Sequence, residues 1–319
     1  MLKIKYSVNK ETCFAWWVQV ISGWGWASSK TDTEYYRSQG SQFSEEENSA
    51  LEKLKLVLQK DSNSYGWIWE RYDGNDFNDE GEQKIWNEIV SVFSPRFEKL
   101  WIDEYPLLEN WRNELSLTNM EATNKTIKAF SDFASVSVSD QSEIEVRICM
   151  GYFPDAPEGH AKKEFPNFVI ANISHTSHEY MARVLGLITH EILHKIDYQS
   201  TTLTNLLEKS YLKIIEPSGI KTLWKWKHLL TESVLHSVAS KRYNSYFGRM
   251  VVSDEKKILS DTLLSVDMEK YGESHGALIR VIAGRIESMT ASYLNKGKEI
   301  DEGYCNEVAS SWAKLLSGK

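Results

Sequence analysis

The sequence predicts a predominantly helical α+β fold with a small sheet near the middle of the chain. Two β-rich segments, residues 142–153 and 167–174, are separated by a stretch rich in proline, glycine and charge. From residue 177 to the end, apolar residues recur at helical spacing almost without a break. These two observations place a short sheet ahead of a helical C-terminal part.

Helices are also predicted on the N-terminal side of the sheet. Residues 44–59 open with acidic side chains and continue at helical spacing, which is typical of a helix start. Residues 82–115 and 120–135 are also expected to be helical, with interruptions near Pro95 and Pro106. After the sheet, the predicted helices are 177–198, 202–214, 219–240, 254–270, 276–294 and 301–316.

The first third of the chain has a different character. Residues 2–26 predict a strand, alone or followed by a short helix, and the polar, serine-rich residues 27–48 predict a mobile loop. Nine of the twelve tryptophans precede residue 112. They line a substrate or partner surface or build the core of a small domain, and we favour the core because indole is mostly buried. We therefore divide the chain into a Trp-rich region of unknown role, 1–115, and a second domain, 116–319.

The composition excludes several classes of protein. The net charge is −8 and no basic stripe is present, so we expect no nucleic-acid partner. The N-terminus lacks the apolar core of a signal peptide, and no run of about eighteen apolar residues predicts a membrane span. Cys13, Cys149 and Cys305 are widely spaced and suit a reducing compartment, so we expect a cytoplasmic protein. The sequence does not indicate the oligomeric state.

One predicted helical segment contains the candidate metal-binding and catalytic residues. Residues 182–198, ARVLGLITHEILHKIDY, hold two histidines and a glutamate within five residues. His190 and His194 fall on one side of the predicted helix, and that side is otherwise mostly apolar, so another element is expected to cover it. The opposite side packs on a core through Met181, Leu185, Ile188, Ile192 and Ile196. We therefore expect this helix, covered on both sides, to form the floor of a cleft.

The spacing of these three residues has a chemical reason. Side chains four apart on a helix lie on the same face, so the imidazoles of His190 and His194 can converge on one ion. Zinc accepts such nitrogens at about 2.0–2.1 Å in a tetrahedral set that leaves room for water. Glu191 can approach that water as a general base. The pattern resembles the HExxH motif of zinc metallopeptidases, and the resemblance implies Zn²⁺, a peptide or protein substrate, and these roles for the three residues.

The third zinc ligand is not fixed by the motif. The metzincin extension is absent, because Asp197 stands where its glycine belongs and Ser200 where its last histidine belongs. Asp197 either orients His194 or is solvated near the helix end, and we favour solvation.

Proteins of the gluzincin class take their third ligand from a glutamate on a later helix, and the resemblance implies Glu232 for this role. It is the only charged residue between His228 and Lys241. The alternative is that Glu232 is exposed or pairs with a lysine. His236 lies one turn further, where many relatives carry an acidic or polar outer residue, and it is also a possible third ligand in place of Glu232.

The resemblance covers roughly residues 140–240 and implies a zincin-like fold, with a small antiparallel sheet whose edge strand pairs with an extended substrate. Such a peptidase also uses a tyrosine or histidine to stabilise the oxyanion. The candidates are Tyr243, Tyr246, Tyr271 and His275. We select His275, which lies in a predicted loop leading into a helix, although a solvated histidine would fit there as well.

The leading functional prediction is therefore a zinc-dependent peptidase with metal ligands His190, His194 and Glu232 and catalytic residues Glu191 and His275. The alternative is a zinc-stabilised binding or regulatory protein whose site is closed. A third possibility is a metal-free helical protein in which the motif arose by chance.

Overall fold

A computed structural model describes residues 2–23, 30–60, 79–138, 142–153, 157–218, 226–242 and 268–316. Side chains at the ends of some helices, including residues 240–242 and 268–277, lie outside this description. Most of the described chain is helical, and a four-stranded sheet lies among the helices. The predominantly helical α+β class is therefore confirmed. No described helix is long and apolar enough to cross a membrane.

The strands and helices follow one another in a simple order. The strands are β1 (Lys3–Val8), β2 (Glu143–Cys149), β3 (Glu158–His160) and β4 (Phe168–Asn172). The helices before β2 are α1 (Lys10–Ile21), α2 (Lys30–Ser38), α3 (Glu45–Lys60), α4 (Glu80–Leu117) and α5 (Glu121–Phe133). The helices after β4 are α6 (Met181–Asp197), α7 (Thr201–Ser210), α8 (Trp226–Arg242), α9 (Met268–Asn295) and α10 (Glu302–Leu316).

The sheet is mixed, so the prediction of an antiparallel sheet was wrong in part. Its strand order is β1-β2-β4-β3, and the pairs β1–β2 and β2–β4 are parallel. Only β3 runs antiparallel, as the outer strand beside β4. The two β-rich segments pair with each other as parallel strands because the chain leaves β2, forms β3 in the intervening stretch, and returns as β4. Sequence patterning located β2 and β4 but missed the three-residue β3.

Burial explains why β4 lies at an inner position of the sheet. All five of its residues are buried, which is typical of a strand that is covered on both faces. On the neighbouring strand β3, the backbone of Gly159 faces α6, whereas the ring of His160 packs 4.9 Å from that of Trp16 in α1. Successive residues of a strand point to opposite faces, so α1 and α6 cover opposite faces of the sheet at this edge.

Two predictions for the N-terminal part need correction. The segment 30–38 is helix α2, not loop, because its polar residues Asp32 and Tyr36 are buried against partners. Helix α4 runs without interruption through Pro95 and Pro106. A proline removes one backbone hydrogen bond, but α4 buries a long row of aromatic and aliphatic side chains, and this burial outweighs the loss. The buried row includes Trp86, Ile89, Phe93, Phe97, Leu108 and Trp111.

Aromatic packing forms much of the core in the first third of the chain. Trp16, Trp17, Trp86 and Trp111 are nearly inaccessible to solvent, in agreement with the core interpretation, whereas Trp101 is only partly buried. The other four tryptophans of this region lie outside the described residues. Strand β1 of this region pairs in register with β2. The sheet next to the candidate site is thus built from both sides of residue 115, and the domain boundary proposed there remains a prediction.

In the C-terminal half, α8 packs against α6 on one side and α9 on another. Helix α9 begins at Met268 and includes residue 275, so the predicted loop at His275 is wrong at the level of the backbone. The side chains of Tyr271 and His275 lie outside the described residues, as do Tyr243 and Tyr246 entirely. The four oxyanion candidates therefore remain predictions.

Candidate metal centre

Helices α6 and α8 each present a row of polar side chains at a spacing of four residues. On α6 the row contains His190 and His194, and on α8 it contains His228, Glu232 and His236. Residues four apart lie one above another on a helix, and the packing of α6 on α8 brings the two rows face to face. The predicted cover over the histidine side of α6 is therefore α8.

The atoms at the centre of this contact lie very close together. Nε2 of His190 is 3.1 Å from Nε2 of His194. The carboxylate of Glu232 lies 3.2 Å from Nε2 of His194 through Oε1 and 3.4 Å from Nε2 of His190 through Oε2. Two helices separated by 28 residues, Asp197 to Trp226, thus place the three ligands predicted from the sequence in one small cluster.

The separations in this cluster are close to those in a metal site. Ligands at about 2.0–2.1 Å from a tetrahedral ion are themselves separated by about 3.3–3.4 Å. The observed separations are close to this spacing: 3.1 Å between the two Nε2 atoms, and 3.2 and 3.4 Å from these atoms to the two different oxygens of Glu232. His236 also belongs to the cluster, because ligand atoms of His190, Glu232 and His236 lie within 4.8 Å of one another. This buried group could hold a metal ion, and its donors fit the zinc that the motif implies.

The same groups also form an ion pair. Burial alone would lower the pKa of His194, but the charge of Glu232 and its hydrogen bond outweigh burial and raise this pKa to about 9. Burial would likewise raise the pKa of Glu232, whereas His194 and His190 together hold it well below its usual range. A protonated His194 therefore balances the buried carboxylate. The interpretation of Glu232 as exposed or paired with a lysine is wrong.

Burial lowers the pKa of both outer histidines of α8, which favours their neutral form. Burial, followed by the neighbouring charge of His190, keeps the pKa of His236 well below its usual range. Burial also lowers the pKa of His228, although Glu232 opposes this effect. Neutral imidazoles have a lone pair available for a metal ion.

Glu191, the predicted general base, is buried beside the cluster and against the outer strand of the sheet. Burial raises the pKa of its carboxyl, and the charges of His190 and His194 oppose this shift. A Cβ at Gly159 would lie only 2.9 Å from Cγ of Glu191 and 2.8 Å from Cδ1 of Leu187. Only a glycine lets β3 approach α6 this closely.

Lys195 of α6 and Tyr198, which directly follows this helix, attach the segment after β3, and neither was expected from the sequence. The ammonium group of Lys195 donates to the carbonyl oxygens of Lys162 and Phe165, each at 2.7 Å. The hydroxyl of Tyr198 donates to the carbonyl oxygen of Ala161 at 3.2 Å. Their spacing of four and seven residues from Glu191 was the available signal, since it places them on the same side of α6.

Asp197 is buried, with 2% of its surface exposed, so the prediction that it is solvated was wrong. Its Oδ1 has no hydrogen-bond partner among the described residues. Burial raises its pKa, and the charge of His194 opposes the shift. The structure gives no direct hydrogen bond by which Asp197 orients His194.

A second polar cluster, at the carboxyl ends of β2 and β4, was not expected from the sequence. His175 Nε2 lies 2.7 Å from Glu104 Oε1, and the backbone N–H of Tyr152 donates to Asp32 at 2.8 Å. Burial raises the pKa of Asp32 to about 7, and Glu104 adds to the shift. These residues come from α2, α4 and two loops, so no local sequence pattern connects them.

The chain matches no protein-family model, no curated protein and no solved structure.

Proposed function

We propose that the protein is a zinc-dependent peptidase of the gluzincin type, with zinc bound by His190, His194 and Glu232. The single observation that carries this proposal is the cluster of donor atoms, in which the two Nε2 atoms of His190 and His194 and the carboxylate of Glu232 are separated by distances close to those between ligands of one tetrahedral ion. These three ligands leave one coordination position for water, which a hydrolase needs.

Glu191 is the residue that would move the proton in this reaction. Bound zinc would acidify a water molecule and polarise the scissile carbonyl group. Glu191 accepts the proton of the attacking water and delivers it to the amine nitrogen as the peptide C–N bond breaks. The raised pKa of the buried Glu191 carboxyl favours this role, because a base works best when its pKa is near the working pH.

The outer strand β3 supports a peptide or protein as the substrate. It lies directly over α6 at Gly159 and Glu191, and among the described residues it pairs only with β4. Its other edge can accept an extended peptide by backbone hydrogen bonds. An antiparallel outer strand over the motif helix also supports a zincin-like arrangement. The three free cysteines agree with the cytoplasmic location predicted from the sequence.

Metal analysis by mass spectrometry and a peptide-library digestion test the proposal together. We expect about one zinc per chain, lost in His190→Ala and Glu232→Ala. Glu191→Gln should retain the zinc and reduce hydrolysis by about 10²–10⁴-fold, since the variant keeps the ligands but loses the base. A zinc-free wild-type protein after reconstitution, or full hydrolysis by Glu191→Gln, would contradict the proposal.

The closed, non-catalytic zinc protein remains the second candidate, and one observation favours it. The donor side chains are largely buried, with 8% of His190, 12% of Glu232 and 14% of His236 exposed. Under this alternative, the wild-type protein binds zinc but cleaves no member of the library, and Glu191→Gln behaves like the wild type in every assay.

A further inference from the structure

The carboxylate of Glu232 is surrounded by more histidines than the motif requires. Its Oε1 faces His194 at 3.2 Å and Nδ1 of His228 at 3.7 Å. Its Oε2 faces His190 at 3.4 Å and Nε2 of His236 at 3.6 Å. Each carboxylate oxygen therefore meets one histidine from α6 and one from α8.

The two additional histidines, His228 and His236, differ in their surroundings. The side chain of His236 is 14% exposed, and its ring lies 4.6 Å from the ring of His190. Its ligand atom falls within 4.8 Å of those of both His190 and Glu232. The side chain of His228 is 41% exposed, at the outer rim of the cluster. Of these two histidines, His236 lies inside the cluster.

The distance between His236 and Glu232 distinguishes two roles for this histidine. A separation of 3.6 Å is too long for a hydrogen bond that would hold the carboxylate in place. It is close to the separation of about 3.3–3.4 Å between two ligands of one tetrahedral ion. Together with the grouping of the His190, Glu232 and His236 ligand atoms within 4.8 Å, this distance fits two donors of one ion.

We infer that His236 is a fourth protein ligand of the metal, which completes a set of three imidazoles and one carboxylate with His190, His194 and Glu232. This inference rests on the proposed metal site and raises the number of its protein ligands from three to four. Four protein donors fill a tetrahedral ion, so water can bind only at a fifth position. Three imidazoles with one carboxylate also suit iron, copper or nickel, so zinc is one of several ions that the site accepts.

X-ray absorption spectroscopy of the tag-free protein loaded with Co²⁺ in an imidazole-free buffer tests the inference directly. We expect three imidazole ligands in the wild type and two in His236→Ala. The visible spectrum of bound Co²⁺ should change in His236→Ala and stay the same in His228→Ala. The second variant is a matched control, because it removes a histidine of the same helix that faces the same carboxylate.

Competition with a chromophoric chelator gives the corresponding affinities. We expect His236→Ala to weaken Co²⁺ binding more than about 10-fold and His228→Ala to weaken it less than that. His236→Gln, which keeps a polar side chain of similar length, replaces the alanine variant if that variant does not fold. In either case the number of imidazole ligands in the wild type shows whether the metal has a third imidazole.

These experiments distinguish a failure of this inference from a failure of the proposed function. Bound Co²⁺ with two imidazoles in the wild type, or identical spectra for the wild type and His236→Ala, would overturn the fourth ligand and leave the three-ligand site intact. A wild-type protein that binds neither Co²⁺ nor Zn²⁺ would overturn both.

Discussion

Gly159 of the outer strand lies directly against Glu191 of the motif helix, and a Cβ at residue 159 would be 2.9 Å from Glu191 Cγ. The contact joins the strand that is proposed to bind substrate to the residue that is proposed to move the proton. The strand and the helix can lie this close together because residue 159 has no side chain.

Replacing Gly159 by alanine should therefore destabilise the protein. The added methyl group overlaps Leu187 and Glu191, and such overpacking costs about 1–3 kcal/mol. Urea unfolding measures the change in free energy. Gly284 provides a control of opposite sign, because it lies in α9 with open space around its Cβ position, and Gly284→Ala should stabilise by about 0.5–1 kcal/mol. Equal midpoints for Gly159→Ala and the wild type would show that the strand moves away freely.

Lys195 should matter more for stability than a lysine of the surface. Lys195→Met leaves the carbonyl oxygens of Lys162 and Phe165 without their buried donor, and each such loss costs about 1–3 kcal/mol. Lys209→Met removes an exposed pair with Glu302, where we expect a change below about 1 kcal/mol. Denaturant titration of both variants compares them. Equal effects would mean that the carbonyl groups find other donors.

Asp32 should make stability depend on pH. Burial raises its pKa from 3.8 to about 7, with Glu104 adding to the shift, so the folded state binds a proton that the unfolded state has released. The stability associated with this group is fully present below about pH 4 and is lost as the pH rises through about 7. Asp32→Asn keeps an acceptor for the N–H of Tyr152 and removes the charge.

We therefore expect Asp32→Asn to gain stability relative to the wild type as the pH rises from 5 to 8. Urea unfolding at constant ionic strength follows this difference. Asp132→Asn makes the same change at a half-exposed position on α5, next to Lys128, and should show no such trend. A difference between Asp32→Asn and the wild type that is constant over this pH range would refute the prediction.

Metal binding should stabilise the folded protein in a pH-dependent way. A free metal concentration of about 100 times Kd contributes about 2.7 kcal/mol, which raises the melting temperature. Burial lowers the pKa of His194 and the charge of Glu232 raises it to a net value of about 9, so binding displaces a proton below that pH. The metal affinity should therefore increase from pH 6 to pH 9.

Differential scanning fluorimetry with and without zinc measures this effect. His190→Ala should abolish the thermal shift, whereas His178→Ala, at a histidine that pairs with Glu114 instead of the cluster, should retain it. An affinity that does not change between pH 6 and pH 9 would show that no ligand releases a proton on binding.

The sequence by itself determined the elements with strong periodicity and the central part of the site. The strands β2 and β4 and helices such as α6 and α10 were located because hydrophobic periodicity is a local property. His190, Glu191 and His194 were identified because their spacing on one helix has a chemical meaning. Glu232 was identified because the resemblance to gluzincins implies a ligand on a later helix, and it is the only charged residue between His228 and Lys241.

Only the tertiary structure decided which distant groups meet. The parallel pairing of β2 with β4, the three-residue strand β3 and the buried helix α2 depend on contacts between segments far apart in the chain. Asp197 and Lys195 are charged residues that local patterning would leave at the surface, and packing buries them. The position of His236 was likewise open in the sequence. It was decided by the packing of α8 on α6, because side-chain separations of a few ångströms depend on how two helices pack, not on residue spacing along either one.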